Sequence, residues 1–136
     1  MVGIVVVGHG RLAEEMVQTL ESVLGRVEAL EAVPSNDTPE NLRAHIAAAV
    51  ARVDRGAGVI ILTDMLGDTP TNQAVAVARD TGAEVVAGVN MPILIKLTTA
   101  RGEMDARALA RFIKRYGQEH IFWATELPVV RTEPAR

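Results

Sequence analysis

The run Ile4-Val5-Val6-Val7, followed at once by Gly8-His9-Gly10, constrains this chain more than any other segment. Consecutive β-branched residues without polar alternation predict a strand buried on both faces, as in a parallel sheet covered by helices. The glycines then end the strand and leave an imidazole at the tip of a tight turn. In an open α/β sheet, ligands and chemistry gather just beyond the C-terminal ends of strands. His9 therefore stands where a base, a metal ligand or a nucleophile would stand.

The rest of the chain supplies the partners such a strand needs. Strands are predicted at Gly3 to Val7, Val27 to Val33, Gly58 to Thr63 and Glu84 to Val89. Helices alternate with them. The first runs from Leu12 to Leu24, with Leu12, Met16, Leu20 and Val23 on one face and Gly25 as its C-cap. The second starts at Pro39 and buries Leu42, Ile46, Ala49, Val50 and Val53; the third opens at Pro70 and closes at Gly82. Met91 to Ala100 and Asp105 to Tyr116 read as two more, and His120 to Ala124 as a short final strand. The βαβαβαβ order predicts an open, mainly parallel four-stranded sheet with helices on both faces, because right-handed crossovers are nearly obligatory. Residues 1–130 read as a single domain, with 131–136 a polar tail.

Composition narrows the function. A chain of 136 residues that is 49% apolar can bury one proper core. Aromatics at 3% and a formal charge of −3 argue against nucleic acid, which needs stacking platforms and a basic face. No cysteine is present, so thiolate catalysis, disulfides and cysteine metal sites are excluded. No apolar run is long enough to span a bilayer, and the N-terminus lacks a signal-peptide pattern, so a cytoplasmic protein is expected. Neither a metal nor another cofactor is called for, and the Walker P-loop pattern is missing.

Two strands end in loops with chemical character, the first at His9 and the third at Asp64. If both strands are central and parallel, their ends share one sheet edge. An imidazole–carboxylate pair then forms, in which the carboxylate fixes the tautomer and stabilises charge on the ring. The loop Met65-Leu66-Gly67-Asp68-Thr69 runs into the third helix, whose free N–H groups and dipole favour an anion. His9 as phosphoryl acceptor, Asp64 as its orienter, and Gly67 with Thr69 as phosphate-binding groups make a phosphohistidine site.

Three segments carry a family resemblance: Val5-Val6-Val7-Gly8-His9-Gly10 with Leu12-Ala13-Glu14-Glu15, Leu62-Thr63-Asp64-Met65-Leu66-Gly67-Asp68-Thr69-Pro70-Thr71-Asn72-Gln73-Ala74, and Ala87-Gly88-Val89-Asn90-Met91-Pro92-Ile93-Leu94. Together they resemble the mannose-family enzyme IIA domains of the bacterial phosphoenolpyruvate-dependent sugar phosphotransferase system. The resemblance implies that His9 accepts a phosphoryl group from the phosphocarrier HPr and passes it to a IIB component, with Asp64 paired to the ring. With Asp64 at Nδ1, the phosphoryl would sit on Nε2. It also implies a homodimer whose last strand, here His120 to Ala124, crosses to the partner's sheet, and a membrane link only through a permease. Two departures stand out. The family's loop commonly reads Gly-Gly-Ser before the proline, whereas Gly67-Asp68-Thr69 brings a negative charge close to the expected phosphate. Many relatives carry a fused IIB domain, whereas this sequence ends shortly after the IIA region, so IIB is expected on a separate protein or to be absent.

Plainer roles compete with these. Asp64 is also a natural Asx-turn residue, Thr69 a natural N-cap, and Gly8 and Gly10 ordinary turn glycines. His45 reads as a surface residue of the second helix, and His120 has no evident partner in sequence. Asn90-Met91-Pro92 reads as a site rim or a simple turn. Arg11 reads as an attractor for an acidic partner or a phosphate, or as an exposed arginine with no fixed role, and Arg101 to Arg107 as a solvated loop and helix entry. Other functions compatible with the fold are the phosphotransfer subunit of dihydroxyacetone kinases and a regulatory protein read by its phosphorylation state. A His9–Asp64 hydrolase ranks last, for want of a nucleophile or metal set.

Overall fold

The structure, a computed structural model, describes residues 1–128. Its elements are β1 (Gly3–His9), α1 (Leu12–Leu24), β2 (Leu30–Ser35), α2 (Pro39–Val53), β3 (Val59–Thr63), α3 (Thr69–Thr81), β4 (Glu84–Ala87), α4 (Met91–Ala100) and α5 (Ala106–Glu119), followed by a 3₁₀ turn at Ala124–Glu126. The four strands lie in the order β2-β1-β3-β4, and every pairing is parallel. No helix among the described residues is long and apolar enough to cross a membrane.

Strand alternation divides the core into two layers. Ile4, Val6, Ile60 and Leu62 pack against α1, α4 and α5 through Leu20, Leu94, Leu97, Leu109 and Ile113. Val5, Val7, Val59 and Ile61 face α2 and α3 through Leu42, Ile46, Val50 and Val77. Both faces of β1 and β3 are thus dry, as their unbroken apolar runs require. The predicted stripe of α2 is buried throughout.

Several boundaries differ from the sequence reading, each for a local reason. β2 begins at Leu30 and not at Val27, because Ala29 takes a positive φ of 51° that breaks extended pairing. It includes Pro34, which an edge strand tolerates since its outer side needs no donor. β4 stops at Ala87, because the N–H groups of Gly88 and Val89 both turn to donate to the Thr63 carbonyl. On α1 the buried residues are Ala13 and Leu20, backed by Met16 and Val17, while Leu12 and Val23 are exposed. α5 runs on to Glu119. Arg101 is not in a solvated loop: it is buried, with its guanidinium donating to the carbonyls of Glu28 and Ala29.

No strand forms at His120–Ala124 in the single chain. His120 caps α5, residues 121–123 have no regular structure, and the chain then turns at Ala124–Glu126. A strand exists only where its N–H and C=O groups find a ladder, and here the segment joins none of the sheet's strands. The polar tail at 131–136 lies outside the described residues.

Candidate functional site

Strand order creates the site. β1 and β3 are neighbours at the centre of the sheet, with Val7 opposite Thr63 in register. His9 ends β1 and Asp64 is the first residue after β3, so both emerge at the same C-terminal edge. Gly10, with φ of 53°, makes the turn into α1 that most side chains would resist.

The two side chains meet. Nδ1 of His9 lies 2.6 Å from Oδ2 of Asp64, and the His9 backbone N–H donates to the same oxygen at 2.9 Å. The other oxygen, Oδ1, accepts from the Met65 N–H at 3.0 Å. Asp64 is therefore fixed at both ends of its carboxylate, and only 10% of its side chain is exposed against 43% for His9. Burial pushes the Asp64 carboxyl up, but the hydrogen bonds from His9 and Met65 outweigh it and hold it below the ordinary aspartate value. On the ring, the hydrogen bond to Asp64 raises the pKa, partial desolvation opposes it, and the charges of Asp64 and Asp68 add to the rise.

The β3–α3 loop is held from below by a pair of buried hydroxyls. Thr71 Oγ1 donates to the Met65 carbonyl at 2.6 Å, which commits its only proton. Thr63 Oγ1, 2.6 Å away, must therefore donate to Thr71. This chain of two bonds ties the end of β3 to the first turn of α3, and so sets where Asp64 and the loop sit. The sequence reading missed it, although two threonines eight residues apart that bracket a catalytic-looking loop were a visible signal.

Asp68 is the larger surprise. It, and not Thr69, is the N-cap of α3: its Oδ1 accepts from the Thr69 N–H at 2.7 Å. Its Oδ2 lies 2.8 Å from Nε2 of His9, and its side chain is 38% exposed. Both ring nitrogens of His9 thus face carboxylate oxygens. Of the expected phosphate-binding residues, Gly67 takes a left-handed φ of 88° just before the helix and Thr69 is its first residue. The Thr69 N–H is already engaged by Asp68, and Pro70 has none to offer.

The remaining candidates are placed as follows. Asn90 caps α4, its side chain accepting from the Ile93 N–H at 2.9 Å, so the Asn90-Met91-Pro92 segment is a helix start. Arg11 lies beside Glu15 at 3.4 Å on the surface. His45 is exposed on α2. His120 does have partners: its ring stacks on Tyr116 with centroids 3.6 Å apart, and Nδ1 is 2.7 Å from the Tyr116 carbonyl. Among the described residues no group of three or more His, Cys, Asp or Glu is arranged to hold a metal ion. A groove of about 550 Å³ runs along the outer edge of β4, between Glu84–Gly88 and α5, with Ile121 at its side.

Known proteins resemble this chain in sequence and in fold. The family model EIIA-man, described as PTS system fructose IIA component, matches residues 3–114. The mannose-specific EIIAB component of Escherichia coli K12 is 32% identical over 139 residues, covering 98% of this chain and 43% of that protein. The chain thus spans less than half the length of that relative. The fructose-specific EIIA component of Bacillus subtilis is 26% identical over 122 residues, covering 88% of this chain and 84% of that one. Among solved structures, an EIIA component from Streptococcus agalactiae superposes with a TM-score of 0.85 at 21% identity, covering 93% of this chain and all (100%) of that one. A mannose/sorbose IIA subunit from Enterococcus faecalis gives 0.80 at 23%, covering 96% and 98%. These structures share the fold. With a family match from the first strand into the last helix, the chain belongs to the EIIA-man family, the IIA components of the phosphotransferase system.

Proposed function

We infer that this chain takes a phosphoryl group from HPr onto Nε2 of His9 and hands it to a IIB component that serves sugar uptake. The observation that carries the reading is the His9–Asp64 pair: Nδ1 is held by a carboxylate that is itself anchored twice. A ring fixed in this way keeps its proton on Nδ1, so that a lone pair can form only on Nε2. That nitrogen attacks phosphorus in line while the donor's bond to phosphorus breaks. Positive charge grows on the ring during attack, and Asp64 stabilises it without leaving its place. Gly67 and Thr69, at the start of α3, are the groups offered to the phosphoryl oxygens.

Two surfaces serve partners in this reading. Leu12, at the start of α1, and Met65 and Leu66, in the turn after β3, are exposed, an apolar rim suited to brief docking of HPr or IIB. The β4 groove receives the His120–Ala124 segment of a second copy, giving a homodimer.

The test is phosphotransfer from HPr, with phosphoenolpyruvate and enzyme I, to the wild type and to His9→Ala. Acid-labile, base-stable label on the wild type alone is the expected result. An unlabelled wild type beside fully charged HPr overturns the reading.

A further inference from the structure

We propose that Asp68 is a gate on the acceptor nitrogen of His9: its carboxylate occupies the place of the incoming phosphoryl group and must withdraw before the histidine can be loaded. The proposal rests on the reading of His9 as the acceptor. A phosphoryl group on Nε2 at the start of α3 would meet two groups, the ring nitrogen and the helix N–H. Asp68 already meets both, with Oδ2 2.8 Å from Nε2 and Oδ1 on the Thr69 N–H at 2.7 Å. The carboxylate is an internal stand-in for the anion.

The contact also sets the state of the ring. Among the described residues, the charged groups within ion-pair reach of His9 are Asp64 from the loop after β3 and Asp68 from the α3 N-cap. Arg11, on the turn that follows, lies against Glu15. A carboxylate only accepts, so with both aspartates ionised each ring nitrogen must donate, and the closed form is an imidazolium with no lone pair. Loading then has a balanced sequence. The Nε2 proton passes to Asp68; the acid swings toward solvent and gives the proton to water. The Nε2–phosphorus bond forms as phosphorus parts from the donor's leaving atom, which keeps the bonding pair. Asp68 is partly exposed, so the swing needs only a side-chain rotation. In the loaded form its charge and the phosphoryl repel one another and compete for one N–H. The loaded histidine is thereby a readier donor than it would be without Asp68.

Asp68→Ser tests this, because serine still caps a helix but is uncharged and too short to reach the ring. Asp68→Asn keeps length and cap while removing the charge. The first readout needs no phosphoryl donor: the imidazole pKa of His9 followed by NMR. It falls in both variants, because the Asp68 charge that raises it is gone. The second is the rate and final extent of loading from phosphorylated HPr. Below the wild-type pKa, Asp68→Ser loads faster than the wild type and reaches a larger loaded share. Normal loading in all three proteins with an unmoved pKa overturns the gate and leaves the phosphocarrier reading standing. Slower loading by Asp68→Ser with a lowered pKa also overturns it, since Asp68 would then assist the reaction. A wild type that never loads overturns the phosphocarrier reading and the gate with it, even if the pKa moves.

Discussion

At His9 two kinds of environment compete for one proton. Its ring is half open to solvent, which leaves the charged form hydrated, and it faces carboxylates on both nitrogens. The hydrogen bond to Asp64 leads in holding the imidazole above its ordinary value of 6.5. Phosphoryl acceptance needs the neutral ring, so the rate falls as pH drops through this raised value. In Asp64→Asn the midpoint of that profile moves down, while the maximal rate drops by roughly 10²-fold because the growing ring charge loses its counterion. Stopped-flow loading across pH separates the two effects; a profile and rate unchanged from wild type would sink the orienting role of Asp64. The same pair makes stability depend on pH from both sides. The contribution from His9 is fully present below 6.5 and is lost as pH rises through the raised folded value. That from Asp64 is present above its ordinary 3.8 and is lost as pH falls through its lowered folded value. Asp64→Asn therefore destabilises most between those limits, which thermal melts over a pH series would show.

Elements fix how closely these residues can be brought together. Gly3 starts β1 against the end of α2, where an added Cβ would run into the Val53 carbonyl and lie 2.8 Å from Val53 Cγ2. Backbone cannot give way there as a side chain would. Gly3→Ala should cost about 1–3 kcal/mol, seen as a lower urea midpoint with an unchanged slope. A midpoint equal to wild type would mean that α2 can slide. Leu66, exposed in the β3–α3 loop, makes the opposite case: Leu66→Ala should leave the midpoint alone. It should instead weaken productive docking of phosphorylated HPr by roughly 1–2 kcal/mol, read as a higher KM at constant kcat. An unmoved KM would remove Leu66 from the docking rim. What was legible in sequence follows the same division. β1 and β3 were plain because both of their faces are dry, and α2 because one regular stripe is buried. β2 was blurred by its half-buried edge position, and Val27 to Ala29 fell to a positive φ that no apolar pattern records. At the site, His9 and Asp64 stood out because each ends a clear strand. Asp68 registered only as an awkward charge, since its reach to Nε2 depends on how α3 is capped, and capping is decided in three dimensions.

At the scale of the whole molecule, the β4 edge of the sheet and one apolar segment have no partner among the described residues of a single chain. β4 is the last strand of the order β2-β1-β3-β4, so among the described residues one side of its ladder is unpaired, and the groove beside it is walled by α5. Ile121, Phe122 and Trp123, just past the end of α5, are all exposed. An open edge invites a strand, and an exposed apolar run of three residues invites burial. A second copy satisfies both at once, because two-fold symmetry brings each segment to the other's edge with the same contacts made twice. In the proposed dimer, the final strand expected from sequence would form only where a second copy supplies its ladder partner. Light scattering on the wild type should give a dimer at micromolar concentration. Trp123→Asp places a charge in the strand that would have to enter the groove, and should shift the mass toward the monomer. The His9–Asp64 pair lies at the C-terminal ends of β1 and β3, and both of its residues come from one chain, so the monomeric variant should still accept label on His9. A wild type that is monomeric at every concentration would remove the exchanged strand from the account. A monomeric variant that is folded but no longer takes up label would instead mean that the second copy completes the site.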